Sequence, residues 1–129
     1  MIDRRQAEIE LLRRKYGDLE VGPNLDWVLF KAFPLPSGWS AKVTEMLVTI
    51  PQGYPFTPPD NFYVSLGLRL ASGAMQGNYT EGVGLLGRPW GQFSFHPEKE
   101  HWKPSPDILD GHNLLTFMLQ VEKRLGELN

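Results

Sequence analysis

The sequence contains no cysteine. That absence removes disulfides, zinc–thiolate sites and thiol catalysis together. No apolar run approaches the length of a membrane span, and the amino terminus is a charged helical stretch rather than a secretory signal. A large excess of one charge is missing too. The formal net charge is −2, with a pI near 5.9, which argues against a general nucleic-acid or polyanion binder. Internal repeats and low-complexity tracts are absent. With 129 residues, the expectation is one cytoplasmic globular domain, 1–129, with no membrane contact and no cofactor.

What is present divides readily into elements. Asp3 to Tyr16 is a predicted helix, with Asp3 as N-cap, Gln6 at capping-box spacing and Gly17 as terminator. Ile9, Leu12 and Tyr16 form its apolar stripe, with Leu11 and Ala7 at the edge. Arg4, Arg5, Arg13, Arg14 and Lys15 cover the other faces, either as a solvated surface or as a docking face for an acidic partner. Strands are expected at 19–21, 27–34, 41–50 and 61–66, with a Pro-Ser-Gly turn at 36–38. Between the last two, Pro51, Pro55, Pro58 and Pro59 cannot lie inside a sheet, because each lacks the N–H a ladder needs. That stretch reads as a rigid surface loop pinned by Tyr54 and Phe56. Residues 67–90, rich in glycine, read as a long irregular loop. After the stiff linker Pro104-Ser105-Pro106, Asp107 or Asp110 is expected to cap a helix running to about Leu125. Leu114, Met118, Val121 and Leu125 form its stripe, and Gly126 fits its end.

The chemistry concentrates in residues 92–104. Phe93, Ser94, Phe95 and His96 alternate as a short extended segment, which puts Ser94 and His96 on one side. A hydroxyl beside an imidazole is the minimum set for an activated oxygen nucleophile. His96 is the candidate base on spacing, and His101 the alternative if a turn folds it back. Glu98, Glu100 and Asp107 are candidates to orient the imidazole. His112 reads as a surface residue of the last helix. His96 and His101 lie five apart with Glu98 and Glu100 between them, which is no standard ligand spacing, so no metal is expected.

The order of elements, with Tyr54-Pro55-Phe56-Thr57-Pro58-Pro59 leading into the fourth strand, resembles the ubiquitin-conjugating (E2) fold. Those enzymes carry a Tyr-Pro-Phe-x-Pro-Pro loop there. Their catalytic cysteine is followed by a tryptophan eight positions on and a proline ten positions on. Here Ser94 stands eight before Trp102 and ten before Pro104. The chain resembles most closely prokaryotic E2 family E, through Leu35-Pro36-Ser37-Gly38, Ile50-Pro51-Gln52-Gly53-Tyr54-Pro55, Ser94-Phe95-His96 and Trp102-Lys103-Pro104. The resemblance implies an α+β, E2-like fold: an N-terminal helix, a four-stranded antiparallel meander, a long active-site segment and one C-terminal helix. It implies an E1-like adenylating enzyme, a ubiquitin-like protein and a target protein as partners. Ser94 would accept an acyl group as an oxyester. Trp102, Pro104 and Asp107 would shape the site; Tyr54, Pro55 and Phe56 would wall the cleft and present a loop to partners, or else their aromatics pack in the core, while Arg4 and Arg5 are partner-binding candidates from the basic face of the first helix.

The departures are equally specific. The family's usual thioester cannot form without cysteine, and no His-Pro-Asn precedes Ser94 at the family's spacing. The chain has one C-terminal helix where typical eukaryotic members have more. An inactive E2 variant that only binds its partners, or a serine introduced in place of cysteine, stand as alternatives to a natural hydroxyl nucleophile.

Overall fold

A computed structural model describes residues 3–128. Helix α1 (Arg4–Tyr16) opens on the expected cap, the Asp3 N–H donating to Gln6 Oε1 at 3.3 Å. Six strands follow, β1 (Leu19–Val21), β2 (Trp27–Pro34), β3 (Val43–Thr49), β4 (Phe62–Val64), β5 (Tyr79–Leu85) and β6 (Arg88–Phe93). Helix α2 (Leu114–Leu125) closes the order. The chain is therefore α+β.

The sheet has the order β1-β2-β3-β4-β6-β5, and every pairing is antiparallel. The expected four-stranded meander is thus correct for β1 to β4 but incomplete. The supposed irregular loop 67–90 contains β5 and the start of β6, a hairpin whose second strand docks on β4. Its connection uses Leu86 at φ +52° and Gly87 at φ +75°. Two consecutive positive φ values are the geometry of the tight turn that matches strand twist. Few apolar residues advertise the hairpin, because β5 is an edge strand and largely exposed.

Alternation along the strands splits the apolar residues between two faces. Val28, Phe30, Met46, Val48, Phe62, Val64 and Phe93 join Ile9 and Leu12 of α1 and Phe117, Met118 and Val121 of α2 in the main core. A bulge between Phe30 and Phe33 lets both rings enter that core despite their odd spacing. Leu29, Leu47, Tyr63 and Trp90 form a smaller cluster that includes Trp27 and Val83 at its margin. Burying a side chain of this size contributes about 1.5–3 kcal/mol, so the main core dominates stability.

Among the described residues, one charged side chain is buried. Glu8 is 0% exposed, and its carboxylate accepts from the Arg4 guanidinium (2.6 Å), the Tyr54 hydroxyl and the backbone N–H of Leu114 (2.6 Å). Leu114 is the first residue of α2, so a carboxylate meets the positive end of that helix. One side chain thereby joins α1, the proline loop and α2.

A cleft lined by three histidines

The C-terminal part of the proline loop and the segment after β6 are bonded to each other. The Asn61 N–H donates to the Phe95 carbonyl (2.7 Å), and the Phe95 N–H donates to Asn61 Oδ1 (3.0 Å). This reciprocal pair brings the neighbours Asp60 and His96 together, and His96 Nδ1 lies against Asp60 Oδ1. Asp60 escaped the sequence reading, which looked for the orienting carboxylate at Glu98, Glu100 or Asp107. The signal for it lies in the Asn61–Phe95 hydrogen bonds, which join residues 34 apart in the chain and which no local pattern shows.

Ser94 follows the last residue of β6. Its backbone N–H donates to the Asn78 carbonyl (3.1 Å), and its side chain is exposed. Among the described residues no hydrogen bond joins the Ser94 hydroxyl to a histidine. His96 pairs with Asp60. His101, in a short 3₁₀ turn at Lys99–His101, pairs through Nδ1 with Glu98 Oε2 at 3.0 Å.

His112 differs from its expected place. Helix α2 starts later than Asp107 or Asp110, because Asn113 is its N-cap: Asn113 Oδ1 accepts from the Thr116 N–H (2.9 Å), and Thr116 Oγ1 accepts from the Asn113 N–H (2.9 Å). Asp107 instead accepts the Leu109 N–H within its own turn (2.9 Å). His112 is therefore outside the helix. It is half-buried and stacked on Trp102, with ring centroids 5.1 Å apart. Two hydrogen bonds to Lys103 hold it: the Lys103 N–H donates to His112 Nδ1 (2.8 Å), and the His112 N–H donates to the Lys103 carbonyl (3.0 Å). Gly111, at φ +105°, permits this approach; a Cβ there would lie 2.7 Å from the Lys103 carbonyl oxygen.

All three histidines line one cleft of about 290 Å³, together with Phe95, Pro97, Glu98, Trp102 and Gln120. His96 also borders a neighbouring cleft of about 380 Å³, whose other wall is Thr57 to Asp60 and Pro97. Trp102 is buried and donates from Nε1 to the Pro55 carbonyl (2.7 Å), fixing the cleft floor to the proline loop. Pro104 is half-buried in the segment between Trp102 and Asn113.

That segment is held from α1. The Arg4 guanidinium donates to the Ser105 and His112 carbonyls. Arg5 donates to the carbonyls of Leu25 and Pro51, both at 3.0 Å. Both guanidinium groups thus hold carbonyls of their own chain. Tyr54 is buried, and burial, then its hydrogen bond to Glu8, pushes its phenol well above the usual range. Phe56 alone of the aromatic loop residues is open to solvent, at 84%. Glu98, Glu100 and His101 bring ligand atoms within 4.8 Å of one another, but all three are exposed and such clustering is common without an ion.

The sequence profile of prokaryotic E2 family E matches residues 8–127, from the buried Glu8 to the residue after the Gly126 cap. The chain belongs to this family. No curated protein and no solved structure matches it. Family membership implies an E2-like role, and in general a partnership with an E1 and a ubiquitin-like protein. Among the described residues of this E2-family chain, no helix is long and apolar enough to cross a membrane.

Proposed function

We propose that this single E2-like domain is an acyl carrier in a bacterial ubiquitin-like conjugation pathway, working through a Ser94 oxyester. The reading rests on one observation above others. The Ser94 hydroxyl is exposed two residues before His96, whose ring is oriented by Asp60 at the junction of two clefts. Ser94 Oγ attacks the C-terminal carbonyl carbon of the ubiquitin-like protein carried by the E1. The hydroxyl proton passes to an imidazole, the new C–O bond forms, and the bond to the E1 carrier breaks. The departing carrier group takes the proton. His96 is the base on this reading, with His101 across the same cleft as its alternative. The acyl group then moves to a nucleophile of a target protein.

Partner contact falls to the proline loop. Tyr54 anchors it through Glu8, the Pro55 carbonyl is tied to Trp102, and Phe56 presents an apolar ring to the E1 or the ubiquitin-like protein. Contact through such an exposed aromatic contributes binding energy where it becomes desolvated.

The test is incubation with the cognate E1, ATP and ubiquitin-like protein. A covalent adduct that survives thiol reductant, is cleaved by mild alkali and disappears in Ser94→Ala supports the carrier. Binding without any adduct overturns it in favour of a non-catalytic adaptor.

A further inference from the structure

Ser94 has a polar neighbour across the hairpin. The β5–β6 ladder pairs Tyr79 with Phe93 and Thr80 with Gln92. One step further, the Ser94 N–H donates to the Asn78 carbonyl at 3.1 Å, so Asn78 stands opposite Ser94. Residues directly opposed across an antiparallel pair have Cβ atoms about 5 Å apart. The rings of Tyr79 and Phe93 enter the main core, with centroids 5.3 Å apart. Their chain neighbours Asn78 and Ser94 are both exposed.

The backbone of Asn78 is fixed from within the protein. Its N–H donates to the side-chain carbonyl of Gln76 (2.7 Å), and the Tyr79 N–H donates to the Gln76 backbone carbonyl (3.1 Å). Gln76 is buried, so this turn is anchored in the interior while Asn78 remains open to solvent. Among the described residues, the Asn78 carboxamide has no hydrogen-bond partner, and neither has the Ser94 hydroxyl. A carboxamide carries two N–H donors. Nearby, then, stand an oxygen nucleophile and an uncommitted neutral donor.

We propose that Asn78 is a further catalytic residue, whose side-chain amide donates to the oxyanion formed when Ser94 takes up an acyl group. This rests on the oxyester reading above. Ser94 Oγ bonds to the carbonyl carbon, and the hydroxyl proton goes to the imidazole base. The carbonyl π electrons move to oxygen, and that oxyanion accepts the hydrogen bond of Asn78 Nδ2–H. When the tetrahedral intermediate collapses, the carbonyl re-forms and the bond to the E1 carrier breaks. The departing group takes the proton from the imidazole. A donor placed beforehand acts where charge develops, and so stabilises the transition state more than the bound substrate. The β5–β6 hairpin thus joins the nucleophile, just after β6, to its oxyanion donor, just before β5.

Asparagine is also a common turn residue, and aspartate serves a turn equally well. An ionised aspartate, however, cannot donate to an oxyanion. Single-turnover transfer from charged E1, followed as the alkali-labile adduct on Ser94, separates the two roles. Asn78→Asp and Asn78→Ala should each lower the saturating rate about 100-fold or more. The E1 concentration at half-saturation and the circular dichroism spectrum should stay unchanged. A full saturating rate in Asn78→Asp overturns the proposal, as does a defect confined to half-saturation. An unmutated chain that forms no adduct overturns the oxyester reading and this inference with it. A normal Ser94 adduct that forms at full rate in both variants overturns this inference alone.

Discussion

Glu8 shows how much one residue carries here. Its carboxylate holds Arg4, Tyr54 and the first N–H of α2, and Arg4 in turn holds the carbonyls of Ser105 and His112. Removing one partner of a buried ion pair leaves the other charge uncompensated, at a cost of about 3–5 kcal/mol. Glu8→Leu should lower stability by that amount in urea unfolding, far more than an ordinary surface change; a loss under ~1 kcal/mol would contradict the role. The same cluster makes an alkaline prediction. Burial first, then Glu8, raises the Tyr54 phenol; burial first, then the Glu122 charge, raises Tyr16. Above their ordinary value of 10.0 the unfolded chain loses protons that the folded chain keeps. The unfolded state then binds fewer protons, so stability is constant below that pH and falls as pH rises above it. Urea midpoints measured across that range should decline, and less steeply in Tyr54→Phe.

At the level of elements, the β5–β6 hairpin was the hardest part to read. Its strands are rich in glycine and polar residues, and Tyr79, Val83 and Trp90 are too widely spaced to announce a strand pair. The turn is legible only in retrospect, since Leu86 is a poor residue for a positive φ. A left-handed conformation costs a non-glycine residue about 1–2 kcal/mol, and asparagine bears it better. Leu86→Asn should therefore raise stability by roughly 0.5–1 kcal/mol, seen as an increase in Tm. An unchanged or lower Tm would show that the exposed Leu86 side chain has a packing role. The start of α2 was misplaced for a similar reason. Asp107 has a capping side chain but spends it on a local turn, whereas Asn113 and Thr116 cap each other.

For the whole molecule, the order of α1, β1 to β4, the proline loop and α2 was legible because hydrophobic periodicity and proline chemistry are local. The bounds of β1 and β2 came out as expected, and those of β3 and β4 came out shorter. The candidate site was legible only as a stretch. Its histidines could be named, but their partners Asp60 and the Lys103 amide depend on contacts between segments far apart or turned back on themselves. The interior roles of Arg4 and Glu8 likewise depend on where α2 begins. The i,i+4 spacing of that pair, with Glu8 next to Ile9 on the apolar side, was the only signal available.

Intact-mass and peptide mass spectrometry of the chain after reaction with its E1, ATP and ubiquitin-like protein tests the central claim most directly. The account predicts a gain equal to the ubiquitin-like protein less one water, carried on the peptide containing Ser94 and released by mild alkali. A modification mapped to a lysine instead, or an unmodified chain beside a fully charged E1, would contradict it.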